Sequence, residues 1–99
     1  MKIREYKIPT FEEWVRNNYK ADIIIGNYRC AIGAISWNND YTRYMFALSM
    51  MDVNPINIYS YRLFSKCIKF DGNVEKLRLW YNDTIEEFYN FWENNIKLT

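Results

Sequence analysis

Two one-sided helix patterns, one near each end, enclose a long stretch of period-two alternation, and no other feature of the chain restricts the fold as much. Near the N-terminus, Thr10 followed by Glu13 reads as a capping box: the hydroxyl accepts from one orphan backbone N–H and the carboxylate from another. Phe11, Trp14, Val15 and Tyr19 then recur at helical spacing, which predicts a helix over about 11–19. Near the C-terminus, Ile85, Phe88, Tyr89, Trp92 and Ile96 form a wide apolar stripe. Asn82 or Asp83 stands where a cap belongs, and Glu86 and Glu87 fall in the first turn, where the helix dipole favours negative charge. The predicted helix runs over about 84–96.

Between them the sequence alternates. Asp22 to Ile25 reads as a short strand ended by Gly26-Asn27, and Tyr28 to about Trp37 as a longer one. Asn38-Asn39-Asp40 loops back into a strand from Tyr41 to about Met50, although Tyr44, Ala47, Leu48 and Met51 also fit a helix. After Asn54-Pro55, Ile56 to about Phe70 continues as one bent strand or two short ones. Asp71-Gly72 is a hairpin signal, predicting a return strand over Val74–Tyr81.

Each helix must bury one face, and a sheet offers one face to both. The expected fold is therefore α+β: a single domain spanning 1–99, with a central antiparallel sheet of four to six strands and both helices on one side.

Composition narrows the function. Nineteen residues are Phe, Tyr or Trp, and there is no histidine. At about 150–250 Å² each, that many rings overfill the core of so short a chain, so several must face outward. Without histidine there is no Ser-His-Asp or Cys-His nucleophile, no histidine-based zinc site and no commonest general base. Neither a CxxC nor a glycine-rich phosphate loop occurs. Glu12-Glu13 and Glu86-Glu87 sit where helix starts want negative charge, and Cys67, between Lys66 and Lys69, reads as a quiet strand position. No catalytic residue, cofactor or metal ligand is expected.

Thirteen basic and twelve acidic residues nearly cancel, which argues against a strongly electrostatic nucleic-acid binder. Cys30 and Cys67 share no metal spacing and read as two half-buried thiols in a reducing compartment, with a disulfide as the alternative. No signal peptide or membrane span is evident, so the expected location is the cytoplasm of a bacterial cell. Residues with AT-rich codons (Phe, Tyr, Met, Ile, Asn and Lys) number 50, against 15 for Gly, Ala, Arg and Pro, as in a low-GC bacterium or its phage.

Parity sorts the remaining rings. In 41–50, Tyr44, Phe46, Leu48 and Met50 face inward, leaving Tyr41 and Arg43 outside. In 56–64, Ile56 and Ile58 face inward, and Tyr59 and Tyr61 outward. In 74–81, Leu77, Leu79 and Tyr81 share the core parity, and Lys76, Arg78 and Trp80 the other. Tyr41, Arg43, Tyr59, Tyr61, Lys76, Arg78 and Trp80 thus form the predicted partner interface, of the residue types enriched at binding hot spots. The competing reading is ordinary cross-strand packing.

The expectation is a small non-enzymatic protein that inhibits or bridges a larger protein, of the kind phages and mobile elements direct against host defence, anti-CRISPR proteins among them. The first alternative is a single-stranded nucleic-acid module, with Tyr59, Tyr61 and Trp80 stacking on bases and Arg43, Lys76 and Arg78 meeting phosphates. The second is a small enzyme or small-molecule binder using carboxylate, tyrosine or cysteine chemistry. A symmetric dimer through the aromatic face or the edge strand 22–25 would turn the same residues into self-contacts.

Overall fold

The computed structural model describes residues 8–40, 43–52 and 62–96. Their order is α1 (Phe11–Arg16), β1 (Lys20–Ile25), β2 (Tyr28–Trp37), β3 (Arg43–Asp52), β4 (Arg62–Lys69) and α2 (Val74–Asn95). The four strands form an antiparallel meander in chain order, with both helices in one hydrophobic core on the same side. This is the expected α+β arrangement, and the 43–52 segment is a strand.

The predicted capping box forms: Thr10 Oγ1 accepts from the Glu13 N–H and Glu13 Oε1 from the Thr10 N–H, both at 3.2 Å. α1 stops at Arg16, short of the predicted 19. The Asn18 N–H donates to the Val15 carbonyl and the Tyr19 N–H to the Trp14 carbonyl, with Asn18 at φ 59°. This is a Schellman ending in which asparagine takes the usual glycine's place. Gly26, at φ 62°, supplies the positive φ of the two-residue β1–β2 hairpin.

The largest departure from expectation lies at 74–81, which is helix and not strand. Asp71-Gly72 opens no hairpin. Asp71 Oδ1 accepts from the Asn73 N–H, and Asn73 Oδ1 accepts from the Lys76 N–H as the N-cap of α2. The 22-residue helix then runs unbroken through Asn82, Asp83, Glu86 and Glu87, which are exposed and neither cap nor begin it. Leu77, Trp80, Tyr81, Thr84, Phe88 and Trp92 make one buried stripe at helical spacing. The alternation of Leu77, Leu79 and Tyr81 is a coincidence inside that stripe: Leu77 and Tyr81 are buried, while Leu79 is 62% exposed. Leu77→Lys is therefore expected to destabilise the protein by several kcal/mol, whereas Leu79→Lys stays within about 0.5 kcal/mol. Parallel urea melts check this, and equal losses would restore the strand reading.

Trp14 is the hub of the core. It lies within ring-packing distance of Phe11, Tyr19, Phe46, Trp80 and Tyr81, and its Nε1 donates to the Ile32 carbonyl at 3.1 Å. Tyr81 adds a second tie by donating its hydroxyl to the Pro9 carbonyl at 2.6 Å. At the other end of α2, Phe88 and Trp92 meet Phe64 and Tyr28. Both cysteines are free; Cys30 is fully buried in this core and Cys67 exposed, so neither is half-buried as expected.

Candidate functional site

With the helices on one side, the other side of the sheet is left open by the described residues. Register places its residues in rows across the strands. Asp22, Ala31, Ser49 and Ser65 form one row, and Lys20, Gly33, Ala47 and Cys67 the next. Two adjacent rows of small residues make a floor, and larger side chains rise beyond it. The floor belongs to a cleft of about 520 Å³, walled by Ile35, Trp37, Arg43 and the Asn17–Asn18–Tyr19 turn.

A bulge in β2 shapes that wall. Ala34 pairs with Phe46 but Ser36 pairs with Met45, leaving Ile35 as the extra residue, and Trp37 then pairs with Arg43. Bulges of this kind bend a strand and re-aim its side chains. Ile35 is 50% exposed and Trp37 54%, while Ile24, further along the same face, is 66% exposed. Ile24, Ile35 and Trp37 thus lie on the sheet face that no described helix covers, while two further exposed apolar groups, Val74 and Leu79, lie on α2.

Arg43 occupies the head of the cleft. Its guanidinium carbon lies 4.8 Å from the centre of the Tyr19 ring and 5.4 Å from that of Trp37, and Nη2 donates to Asn18 Oδ1. Tyr19 is itself anchored in the core against Trp14 and Phe46. It adopts φ 58°, a left-handed conformation unfavourable for a bulky side chain. The chain accepts that strain where the turn meets both the core and the cleft.

Charges on this face are unevenly matched. Asp22 accepts two hydrogen bonds from Arg29 Nε, at 2.9 and 3.1 Å, and a third from its Nη2. These bonds hold the Asp22 carboxyl below its ordinary range and raise the guanidinium correspondingly. Among the described residues no carboxylate pairs with Lys20 or Arg43.

Of the four predicted interface residues that are described, the structure places only Arg43 on this face. Trp80 is 8% exposed and belongs to the core, since α2 turns it towards Trp14. Lys76 lies at the start of α2 beside Asp71, and Arg78 pairs with Glu12 and Glu75 and covers the Phe11 ring. Those two are on the helical layer and cannot join Arg43. Tyr41, Tyr59 and Tyr61 lie outside the described residues.

Ile24, Ile35, Trp37 and Lys20 escaped sequence reading. A signal was present: once Cys30 and Ile32 are set inward, the opposite parity of 28–37 reads Arg29, Ala31, Gly33, then Ile35 and Trp37 around the bulge. Among the described residues no three Cys, Asp or Glu side chains converge as a metal site, and no helix is long and apolar enough to cross a membrane. No known protein family, curated protein or solved structure matches the chain, so the geometry of the open sheet face alone stands as the guide to function.

Proposed function

We propose that this protein is a non-enzymatic inhibitor or adaptor that binds a larger protein through the open face of its sheet. The observation that carries this reading is the exposure of Ile35 and Trp37 on the walls of a small-residue cleft, with Ile24 exposed further along the same face. Among the described residues Trp37 is the one ring that is more exposed than half-buried, and beside a concave floor it has the makings of a hot spot: an aromatic anchor, a well-shaped pocket and a polar rim. If the AT-rich composition marks a phage or mobile element, host defence proteins are the first class of partner to test.

The nucleic-acid alternative draws less support from the charges. Of the three cations assigned to phosphates, Lys76 and Arg78 each pair with a carboxylate on the helical layer, which leaves Arg43.

A photo-crosslinking residue placed at Ile35 is expected to capture one discrete protein in cells that encode this chain. The same residue at Leu79, on the exposed side of α2, should capture none. Ile35→Asp introduced beside a crosslinker at Trp37 should abolish capture while moving stability by less than about 1 kcal/mol. Equal capture from Leu79, or capture indifferent to Ile35→Asp, would overturn the proposal.

A further inference from the structure

Resting on that reading of the open face, we infer that the Arg43 end of the cleft receives an acidic segment of the partner. A carboxylate meets Arg43 and Lys20, and a neighbouring apolar or aromatic side chain lies against Trp37.

Three observations converge on this occupant. The first is charge. Lys20 and Arg43 both line the cleft without a carboxylate partner among the described residues. Asp22, the one acidic residue in the lining, is already engaged by Arg29. Among the described residues the cleft therefore offers positive charge with no carboxylate paired to it, beside exposed apolar surface.

The second is preorganisation. Arg43 is held between the Tyr19 and Trp37 rings, and Asn18 takes one of its five N–H donors. A guanidinium fixed this way loses little freedom when a carboxylate arrives, and its planar fork suits two parallel N–H···O bonds. Tyr19 cannot swing aside, because its ring is wedged against Trp14 and Phe46 and its backbone is set by the helix ending.

The third is shape. Gly33, Ala31, Ala47 and Ser49 keep the floor low, so a peptide main chain can approach the sheet while its side chains reach the walls. A volume of about 520 Å³ lies within the usual range for ligand sites and accommodates a few residues. A phosphate backbone fits less well, because successive phosphates need a line of free cations and Arg29 is not one.

The test is an NMR titration of the ¹⁵N-labelled protein with three probes. The first is a blocked pentapeptide of two glutamates, two aspartates and a central phenylalanine. The second is the same peptide with amides in place of the carboxylates, and the third is a short oligothymidylate. The acidic peptide is expected to shift the Trp37 indole and Gly33 amide signals saturably, and the amide peptide to bind at least about tenfold more weakly. Arg43→Gln should lose a similar factor with undiminished amide dispersion, while Arg43→Lys keeps part of the affinity as a point charge. Equal binding of the amide peptide, full retention by Arg43→Gln, or no shift at Trp37 and Gly33 would overturn the inference. Tighter binding of the oligothymidylate would overturn it in favour of phosphate. If capture from Ile35 persists while this titration fails, the face binds its partner by another chemistry; if both fail, the open-face reading falls too.

Discussion

Trp14→Ala is expected to remove a large fraction of the protein's stability. Trp14 has no solvent exposure and joins both helices to the sheet, touching rings from α1, the α1–β1 turn, β3 and α2. Removing a buried tryptophan costs about 3–5 kcal/mol in transfer and cavity terms, out of a total stability of roughly 5–15 kcal/mol. For a domain of this size that corresponds to a fall in Tm of roughly 15–30 °C. Trp14→Phe should fall between the two, because it keeps much of the ring contact but loses the indole N–H given to the Ile32 carbonyl. Trp37→Ala is the control: half exposed and facing away from the helices, it should shift Tm by only a few degrees. Calorimetry of the three variants decides the matter, and a comparable loss at Trp37 would mean that Trp14 is no hub.

Stability is also expected to fall steeply at alkaline pH. Burial pushes the Cys30 thiol up to about 12 from an ordinary 9.0, with the nearby Asp22 charge adding to the effect. Desolvation raises the Tyr81 hydroxyl as well, with smaller contributions from Cys30, Tyr89 and Glu13. In each case the folded protein holds its proton where the unfolded chain has released it. Their contribution is therefore intact below the unfolded values and declines as pH climbs past them. From about pH 9 upward Cys30 alone should remove about 1.4 kcal/mol of stability per pH unit, approaching ~4 kcal/mol near pH 12. Tyr81 steepens the decline above about pH 10. Urea melts from neutral pH to pH 10.5 read the slope. Cys30→Ala lowers stability at neutral pH by leaving a small cavity, but it should flatten the segment between pH 9 and 10. An unchanged slope in that variant would place the alkaline loss elsewhere.

Much of the fold was legible because it rests on local chemistry. The Thr10–Glu13 capping box, the Gly26-Asn27 hairpin and the period-two run from Tyr28 to Trp37 each form as their residues dictate. The error at 74–81 has an equally local origin. A segment of eight residues with apolar groups at 77, 79, 80 and 81 satisfies both a two-residue and a helical period. Only the continuation of the stripe through Thr84 to Trp92, in one unbroken helix, resolves the ambiguity. Thr84 hid that continuity, being a polar residue on the buried line.

The same mistake dispersed the predicted interface. Reading Trp80 outward by strand parity gave it to a partner, whereas a helical turn of about 100° per residue gives it to the core. Parity sends Arg43 to the open face, but its companions there come from β1 and β2, in segments whose outward parity was not followed. Registry between distant strands is a pairing property that no single segment carries.

By itself, the sequence determined an α+β domain with a capped helix near the N-terminus, a helix near the C-terminus, an antiparallel sheet between them and no histidine chemistry. These follow from periodicity and residue type, which act over a few neighbouring residues. The tertiary structure alone decided which rings the core would take and that one sheet face would stay uncovered by the described residues. It also decided that Tyr19, Trp37 and Arg43 would meet at one cleft. Those outcomes depend on long-range packing, where the burial of a hub such as Trp14 outweighs local alternation.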